Sequence, residues 1–240
     1  MTDSIFDNLH ALNAWADADP ETLRISMDTK ATVHVGEYSR GGRSRGRKAV
    51  AAADHEMAPK HKLAPGGVLE PAQGRAFVFF TESNKTSAFV VDGLRQWWNF
   101  RKQDLGPIRR LVVNLDNGPK CSSHRRYFLQ MLTQFADAEN LEIRLVYYPP
   151  YHSKYNAIER YWGGLERSWN GYLLDSVQAV LNRAENFAWR THRTVVSLID
   201  KIYEKGITLS RAETRKLEQR LVRSQSLPWW DVTIKPKMVH

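Results

Sequence analysis

The alternation of short apolar runs with helical periodicities between residues 75 and 169 most constrains the fold of this 240-residue chain. Short apolar runs bounded by turn residues are typical of buried strands, and apolar residues at three- and four-residue spacing are typical of amphipathic helices. The predicted strands cover residues 75–82, 109–116 and 142–148, and the predicted helices cover 86–101, 128–136 and 158–169. This order predicts an α/β fold in which helices cover a mixed sheet.

Two segments of different character precede this core. Residues 22–36 alternate apolar and polar side chains, which predicts one long strand or a tight hairpin. Residues 37–74 are rich in Gly, Arg, Ala and Pro and have no sustained periodicity, and seven Lys or Arg against two acids fall within residues 40–62. We interpret this segment as an irregular, solvated, basic insertion that holds at most a short strand.

Beyond residue 169 the apolar spacing is helical. It predicts helices at residues 177–184, 193–204 and 210–221, the last opened by a capping box from Ser210 to Glu213, and an irregular tail. We therefore divide the chain into an N-terminal arm (1–20), a mixed-sheet domain (21–190, including the basic insertion 37–74) and a helical C-terminal extension with its tail (191–240).

Three acids occupy positions that a sheet can bring together. Asp28 lies in or at the end of the first strand, Asp116 ends the strand before Asn117-Gly118, and Glu159 falls in the first turn of a helix. Clustered carboxylates repel one another, and hard divalent cations such as Mg²⁺ neutralise them. Because Asp before Asn-Gly is also ordinary turn chemistry, spacing alone leaves a purely structural interpretation of the three acids open.

The residues around these acids resemble the DDE transposases of bacterial insertion sequences. The resemblance is carried by Ile-Ser-Met-Asp-Thr-Lys-Ala (25–31), by Leu-Asp-Asn-Gly-Pro (115–119) with Ser-Ser-His-Arg-Arg (122–126), and by the run 147–162 that contains Asn-Ala-Ile-Glu. It is greatest to the Rhodopirellula transposase family, a distant relative of the mariner-like enzymes, and extends over nearly the whole chain.

The resemblance implies a ribonuclease-H-like DDE catalytic domain, with Asp28, Asp116 and Glu159 as catalytic, metal-binding residues. It implies two Mg²⁺ ions, with Mn²⁺ as a substitute, cleavage and strand transfer of double-stranded DNA at transposon ends and target, a homo-oligomer on DNA, and a cytoplasmic, nucleoid-associated protein. Ala157 stands where the family usually has Pro. Related transposases place a helix-turn-helix before the first Asp, so the short segment before Asp28 suggests the catalytic half of a longer transposase.

Basic and polar residues near these blocks are candidate DNA contacts, because neutralising phosphates releases counterions. The candidates are Arg40, Arg43, Arg45, Arg47, Lys48, His124, Arg125, Arg126, His152, Lys154 and Asn156. Nine of them have a structural alternative: a solvated loop for the first five, an exposed helix face for the next three, and for Asn156 the N-cap of the helix that follows. Glu166, seven residues after Glu159, is a weaker candidate for the third metal ligand.

Composition narrows the classes of partner and of metal site that the chain could have. Thirty-five Lys or Arg against 26 acids give a net charge of +9, which favours a polyanionic partner, and one cysteine excludes an intrachain disulfide and a Cys-rich zinc site. Two alternatives remain open. One is a non-catalytic DNA-binding module, in which helices 193–204 and 210–221 imitate a helix-turn-helix with Arg211, Arg215, Lys216 and Arg220 facing DNA. The other is a truncated, catalytically inactive remnant.

Overall fold

The computed structural model describes residues 1–42, 52–53 and 61–237. The helices are α1 (Thr2–Ala18), α2 (Ser87–Arg101), α3 (Arg126–Glu139), α4 (Ala157–Ser168), α5 (Val177–Glu185) and α6 (Arg211–Glu218), with a 3₁₀ turn at Ser153–Tyr155. The strands are β1 (Thr22–Thr29), β2 (Val33–Val35), β3 (His61–Glu70), β4 (Arg75–Thr81), β5 (Arg110–Leu115), β6 (Glu142–Tyr147), β7 (Ala188–Trp189), β8 (His192–Arg193), β9 (Val195–Leu198), β10 (Leu221–Arg223) and β11 (Asp231–Ile234).

One mixed sheet organises the described residues. Its strand order is β10-β11-β6-β5-β1-β3-β4-β9, and β2 pairs with the N-terminal end of β3. Strand β1 pairs antiparallel with β3 and parallel with β5, and β5 pairs parallel with β6. The sheet is flanked by helices, as the alternation of strands and helices predicts, and this arrangement confirms the ribonuclease-H-like fold.

The two faces of β1 belong to different cores, because successive side chains of a strand point to opposite sides. Leu23, Ile25 and Met27 share the predicted apolar face and pack in the main core with α2 and α3. Ser26 and Asp28 lie on the other face, which α4 covers. Four tryptophans on these helices or at their ends are buried in the cores: Trp97, Trp98, Trp162 and Trp169.

The prediction of an irregular insertion over residues 37–74 is wrong for its second half. His61–Glu70 is the ten-residue strand β3, whose last eight residues are buried between β1 and β4. The Pro65-Gly66-Gly67 run resembles a turn in sequence, but Pro65 lies where the partner of β3 changes from β2 to β1. A proline is tolerated there because the ladder is already interrupted.

The prediction of a helical C-terminal extension is also wrong in large part. Within 193–204 the chain forms β9, which pairs parallel with β4, and then an extended segment without helix. In the tail, β11 pairs antiparallel with β6 and extends the sheet. Of the predicted helix 210–221, α6 is present and its capping box is confirmed. The helix-turn-helix alternative therefore lacks its first helix, and Arg220 forms an ion pair with Asp137.

The N-terminal arm is the regular helix α1. Leu9 and Ala16 are buried against Val112 and Val146 of the sheet. Together with Ile5 and the half-buried Leu12, these residues have the three- and four-residue spacing of a helix. Over the described ranges, no helix is both long and apolar enough to cross a membrane.

Candidate active site

Parallel pairing of β1 and β5 aligns the first two acids. Ser26 is the register partner of Asn114. Asp28 and Asp116 each follow two residues later, so they leave the same edge of the sheet at the same level. The carboxyl ends of adjacent parallel strands are where α/β proteins gather ligand-binding side chains. The structure therefore brings together two acids that are far apart in sequence.

Helix α4 brings Glu159 to the same place, because it packs closely across β1 and β3. Gly67 of β3 is the register partner of Asp28. A Cβ atom at Gly67 would lie 2.9 Å from the Trp162 ring and 3.1 Å from Ile158 Cδ1. The absence of a side chain at this position is what lets the first turns of α4, and hence Glu159, lie against the strand.

A buried hydrogen-bond network, which we call the Ser26–Asn156 latch, fixes the start of α4 on β1. The Ser26 hydroxyl donates to Asn156 Oδ1, and Ser26 Oγ in turn accepts a hydrogen bond from the Ile158 N–H at 3.0 Å. Asn156 Nδ2 donates to the Met27 carbonyl at 3.2 Å. Both side chains are at most 1% exposed. The latch therefore ties the helix turn that carries Glu159 to the two residues that precede Asp28.

This geometry corrects the sequence interpretation of Asn156. Its buried side chain cannot reach DNA in this conformation, although it was a candidate contact. It does occupy the N-cap position of α4, but it makes no side-chain capping bond, and Ser26 supplies that bond instead. Sequence reasoning missed Ser26, whose only signal is a polar residue on the same strand face as Asp28.

The three carboxylates share one electrostatic environment. Burial, and then the Asp116 and Glu159 carboxylates, raise the pKa of Asp28 to about 7. Burial also raises the pKa of Asp116, against a backbone hydrogen bond from Gly118 that lowers it. Burial raises the pKa of Glu159, which Lys30 lowers and Asp116 raises. Carboxylates in such surroundings favour either a proton or a cation.

The donor chemistry fits a hard divalent ion, since all three groups offer carboxylate oxygens. Within the described part of the chain, however, no three His, Cys, Asp or Glu side chains are arranged to hold one ion. Mg²⁺ usually takes only one or two protein carboxylates and completes its shell with water and phosphate. The site therefore suits ions that also bind the substrate better than a closed cage made by protein alone.

Two lysines balance this negative charge. Lys30 lies beside Glu159 and its Nζ forms an ion pair with Glu166 at 3.5 Å. Lys85 Nζ donates to the Lys30 carbonyl at 2.7 Å, and its charge lowers the pKa of Asp28. Glu166, the weaker candidate for third ligand, is thus the partner of a lysine. Sequence reasoning did not single out either lysine.

Comparison with known proteins decides the family. The family model described as "Rhodopirellula transposase DDE domain" matches residues 1–236. The chain belongs to this family. No curated protein sequence matches it.

Among solved structures, the DDE-domain chain is similar to three complexes of Mos1 transposase. The paired-end complex with the left transposon end gives a TM-score of 0.49 at 10% identity, covering 74% of this chain and 50% of that one. The Mos1 mariner paired-end complex with Mn gives 0.47 at 11%, covering 75% and 52%. The Mos1 strand transfer complex gives 0.44 at 10%, covering 74% and 49%. The chain spans about half the length of these Mos1 chains.

The other candidate DNA contacts of this DDE-domain chain fall in three places. Arg43, Arg45, Arg47 and Lys48 lie outside the described residues. Arg40 is half-buried and donates to the His34 carbonyl. The remaining five are exposed or half-buried, and they follow the Asp116 turn in the chain or lie in the loop before α4.

Those five side chains have defined surroundings. The exposed His124 ring stacks on Trp229 with ring centroids 4.2 Å apart, and Arg125 donates to the Ile207 carbonyl at 3.3 Å. Arg126 begins α3 and is exposed, as is Lys154. The His152 ring is half-buried, and its Nδ1 lies 2.6 Å from the Pro150 carbonyl oxygen. These residues stay candidates, since the structure leaves their outer surfaces accessible.

Proposed function

We propose that this chain cleaves a DNA strand at the end of an insertion sequence and transfers the resulting 3′-hydroxyl to target DNA. The observation that carries this proposal is the convergence of Asp28, Asp116 and Glu159 at one sheet edge, in a chain that belongs to a DDE-domain family. Each acid comes from a different element, so the fold, and no local motif, assembles the site.

The protein's own residues have two tasks in this chemistry. The carboxylates of Asp28, Asp116 and Glu159 would hold two divalent ions, Mg²⁺ or Mn²⁺. Such a pair supplies activation of the attacking water or 3′-hydroxyl and stabilisation of the leaving oxygen. The Ser26–Asn156 latch and the Asp116–Gly118 turn keep the carboxylates oriented.

Substrate and assembly follow from the same proposal. Double-stranded DNA at transposon ends and target is the expected partner, and a protein acting on it would be found with the bacterial nucleoid. Assembly of a homo-oligomer on DNA stays a prediction from the family resemblance. Mos1 is seen with transposon-end DNA and with Mn in the complexes named above, which is support by similarity only.

The test is nicking of supercoiled plasmid DNA with Mg²⁺ or Mn²⁺, and with EDTA as the metal-free control. We expect Asp28→Asn, Asp116→Asn and Glu159→Gln each to reduce metal-dependent nicking by at least about 100-fold, the range that mutation of essential catalytic groups usually gives. Glu166→Gln is the matched control, because Glu166 lies on the same helix but pairs with Lys30. It should retain most of the activity.

Nicking that survives Asp116→Asn would overturn the assignment. Metal-dependent stabilisation of the unchanged protein without any nicking would favour the inactive-remnant alternative instead. Thermal unfolding of each variant, measured beside the assay, separates a lost reaction from a lost fold.

A further inference from the structure

An open groove of about 660 Å³ lies beside the three acids, and we call it the basic groove. Its lining includes five cationic side chains, Lys62, Lys85, Lys120, Arg125 and Lys205. Glu82 and Glu204 are the acids of the same lining. The described part of the groove wall therefore carries an excess of three positive charges, although the neighbouring site is acidic.

The basic groove is continuous with the candidate active site. Lys85 lies within electrostatic reach of Asp28, and Lys120 acts in turn on Lys85. Lys120 also follows the Asp116 turn directly, and its carbonyl accepts a 2.7 Å hydrogen bond from the Ser87 hydroxyl at the start of α2. A strand that leaves the acids in this direction would therefore meet the lysines at once.

Hydrogen bonds between distant segments hold the groove open. Asn84 Nδ2 donates to the Tyr203 carbonyl at 2.8 Å, and the Tyr203 N–H donates to Ser83 Oγ at 2.8 Å. Arg125 donates to the Ile207 carbonyl, which fixes the segment after β9 to the start of α3. The shape is thus a built feature of the fold, formed in part by residues 203–207, which span the end of the predicted helix 193–204 and the loop after it.

We propose that the basic groove binds the sugar-phosphate backbone of the DNA strand on one side of the scissile phosphate. The chemistry of its wall favours phosphate, because ammonium and guanidinium groups are spread along it. Tyr127 is the aromatic side chain of the described lining, so the contact reads backbone and not base sequence. This inference rests on the proposed function for its choice of strand.

The experiment measures equilibrium binding of a fluorescein-labelled DNA duplex by fluorescence anisotropy, in EDTA and in an Asp116→Asn background. The test variant is Lys120→Ala with Lys205→Ala, since neither side chain has a packing role in the core. Affinity is recorded between about 50 and 200 mM salt, where phosphate contacts dominate the salt dependence. The matched control is Arg75→Ala with Arg193→Ala, two exposed cations at the opposite end of β4.

We expect the test variant to lower the slope of log K against log salt by about 0.9 for each lost phosphate contact, and to weaken binding by about tenfold at the lowest salt. The control should leave slope and affinity unchanged. Equal effects of test and control variants, or no effect of either, would overturn the proposal. Because binding is measured without metal and without Asp116, this result is independent of whether nicking occurs.

Discussion

Replacing Ser26 with Ala tests whether the Ser26–Asn156 latch sets the position of Glu159. The substitution removes one hydroxyl that serves two partners, Asn156 Oδ1 and the Ile158 N–H. Loss of a helix N-terminal capping bond costs about 1 kcal/mol. Leaving the buried Asn156 amide oxygen without its donor costs about 1–3 kcal/mol. The free energy of unfolding should therefore fall by about 2–4 kcal/mol.

Urea denaturation followed by tryptophan fluorescence measures this change. Ser197→Ala is the matched control: its hydroxyl makes one hydrogen bond, to Gln96 Oε1 at 2.7 Å, and it lies away from the acids. We expect that control to cost about 1 kcal/mol, the worth of one ordinary hydrogen bond. Nicking is then compared at a temperature where both variants are fully folded. A displaced Glu159 should reduce the rate for Ser26→Ala by at least tenfold and leave Ser197→Ala unchanged.

Two results would refute this reasoning. If Ser26→Ala costs no more than Ser197→Ala, the hydroxyl does not stabilise the start of α4 as the geometry indicates. If it is strongly destabilising but nicks DNA at the unchanged rate when folded, the latch contributes to stability alone and does not position Glu159.

Three further predictions concern the site and the sheet. Because the pKa of Asp28 is raised from 3.8 to about 7, the stability that this group contributes is full below about pH 4 and is lost as pH rises through 7. In EDTA at pH 8, Asp28→Asn should therefore have a free energy of unfolding up to about 4 kcal/mol higher than that of the unchanged protein in urea denaturation. At pH 4 the two proteins should have similar free energies of unfolding. A Cβ at Gly118 would lie 3.2 Å from both Asp116 carboxylate oxygens, so Gly118→Ala should weaken Mn²⁺ binding about tenfold in calorimetry; unchanged binding would contradict this orientation. Asp231→Ala breaks the bidentate pair with Arg144 that joins β11 to β6 and should lower the free energy of unfolding by about 1–3 kcal/mol, whereas an unchanged value would indicate that β11 is dispensable.

Two of the three candidate acids are marked by local chemistry in the sequence. Asp116 stands between an apolar strand and an Asn-Gly turn, and Glu159 follows a helix start that Pro149-Pro150 separates from the strand before it. Packing decides which strands lie side by side. Acids at strand ends can meet only where neighbouring parallel strands end, which limits the acids that can form one site. The family resemblance then selected one of them.

The Ser26–Asn156 latch was not predictable from local patterns. Its two side chains are 130 positions apart in sequence. Either residue alone has an ordinary explanation, Ser26 as a polar strand position and Asn156 as a helix cap. The functional meaning exists only when α4 lies on β1, which a one-dimensional pattern does not contain.

The C-terminal strands show how tertiary contacts override periodicity. Val195, Leu198, Ile199 and Ile202 have helical spacing in the sequence. In the structure, β9 pairs with β4, so Val195 and Val196 pack against the cores on opposite faces of one sheet. None of the four residues of β9 is fully buried, and in so short a strand apolar side chains that contact the cores on both faces cannot be told from a helix by their spacing.

Electrostatic repulsion pushes the three carboxylates apart, and the rigid elements that carry them hold them together. Metal binding would reduce the repulsion. Like charges at the sheet edge push Asp28, Asp116 and Glu159 apart, while the latch and the close contact at Gly67 hold α4 in place. A scaffold that yielded to the repulsion would separate the carboxylates and lose affinity for a shared pair of ions. Because the latch side chains are buried and joined by hydrogen bonds, they would hold the carboxylates together despite this repulsion, and bound cations would reduce the repulsion without a large rearrangement. Added Mn²⁺ should therefore raise the unfolding temperature of the unchanged protein more than that of Asp28→Asn, and an equal rise in both would place the ion elsewhere.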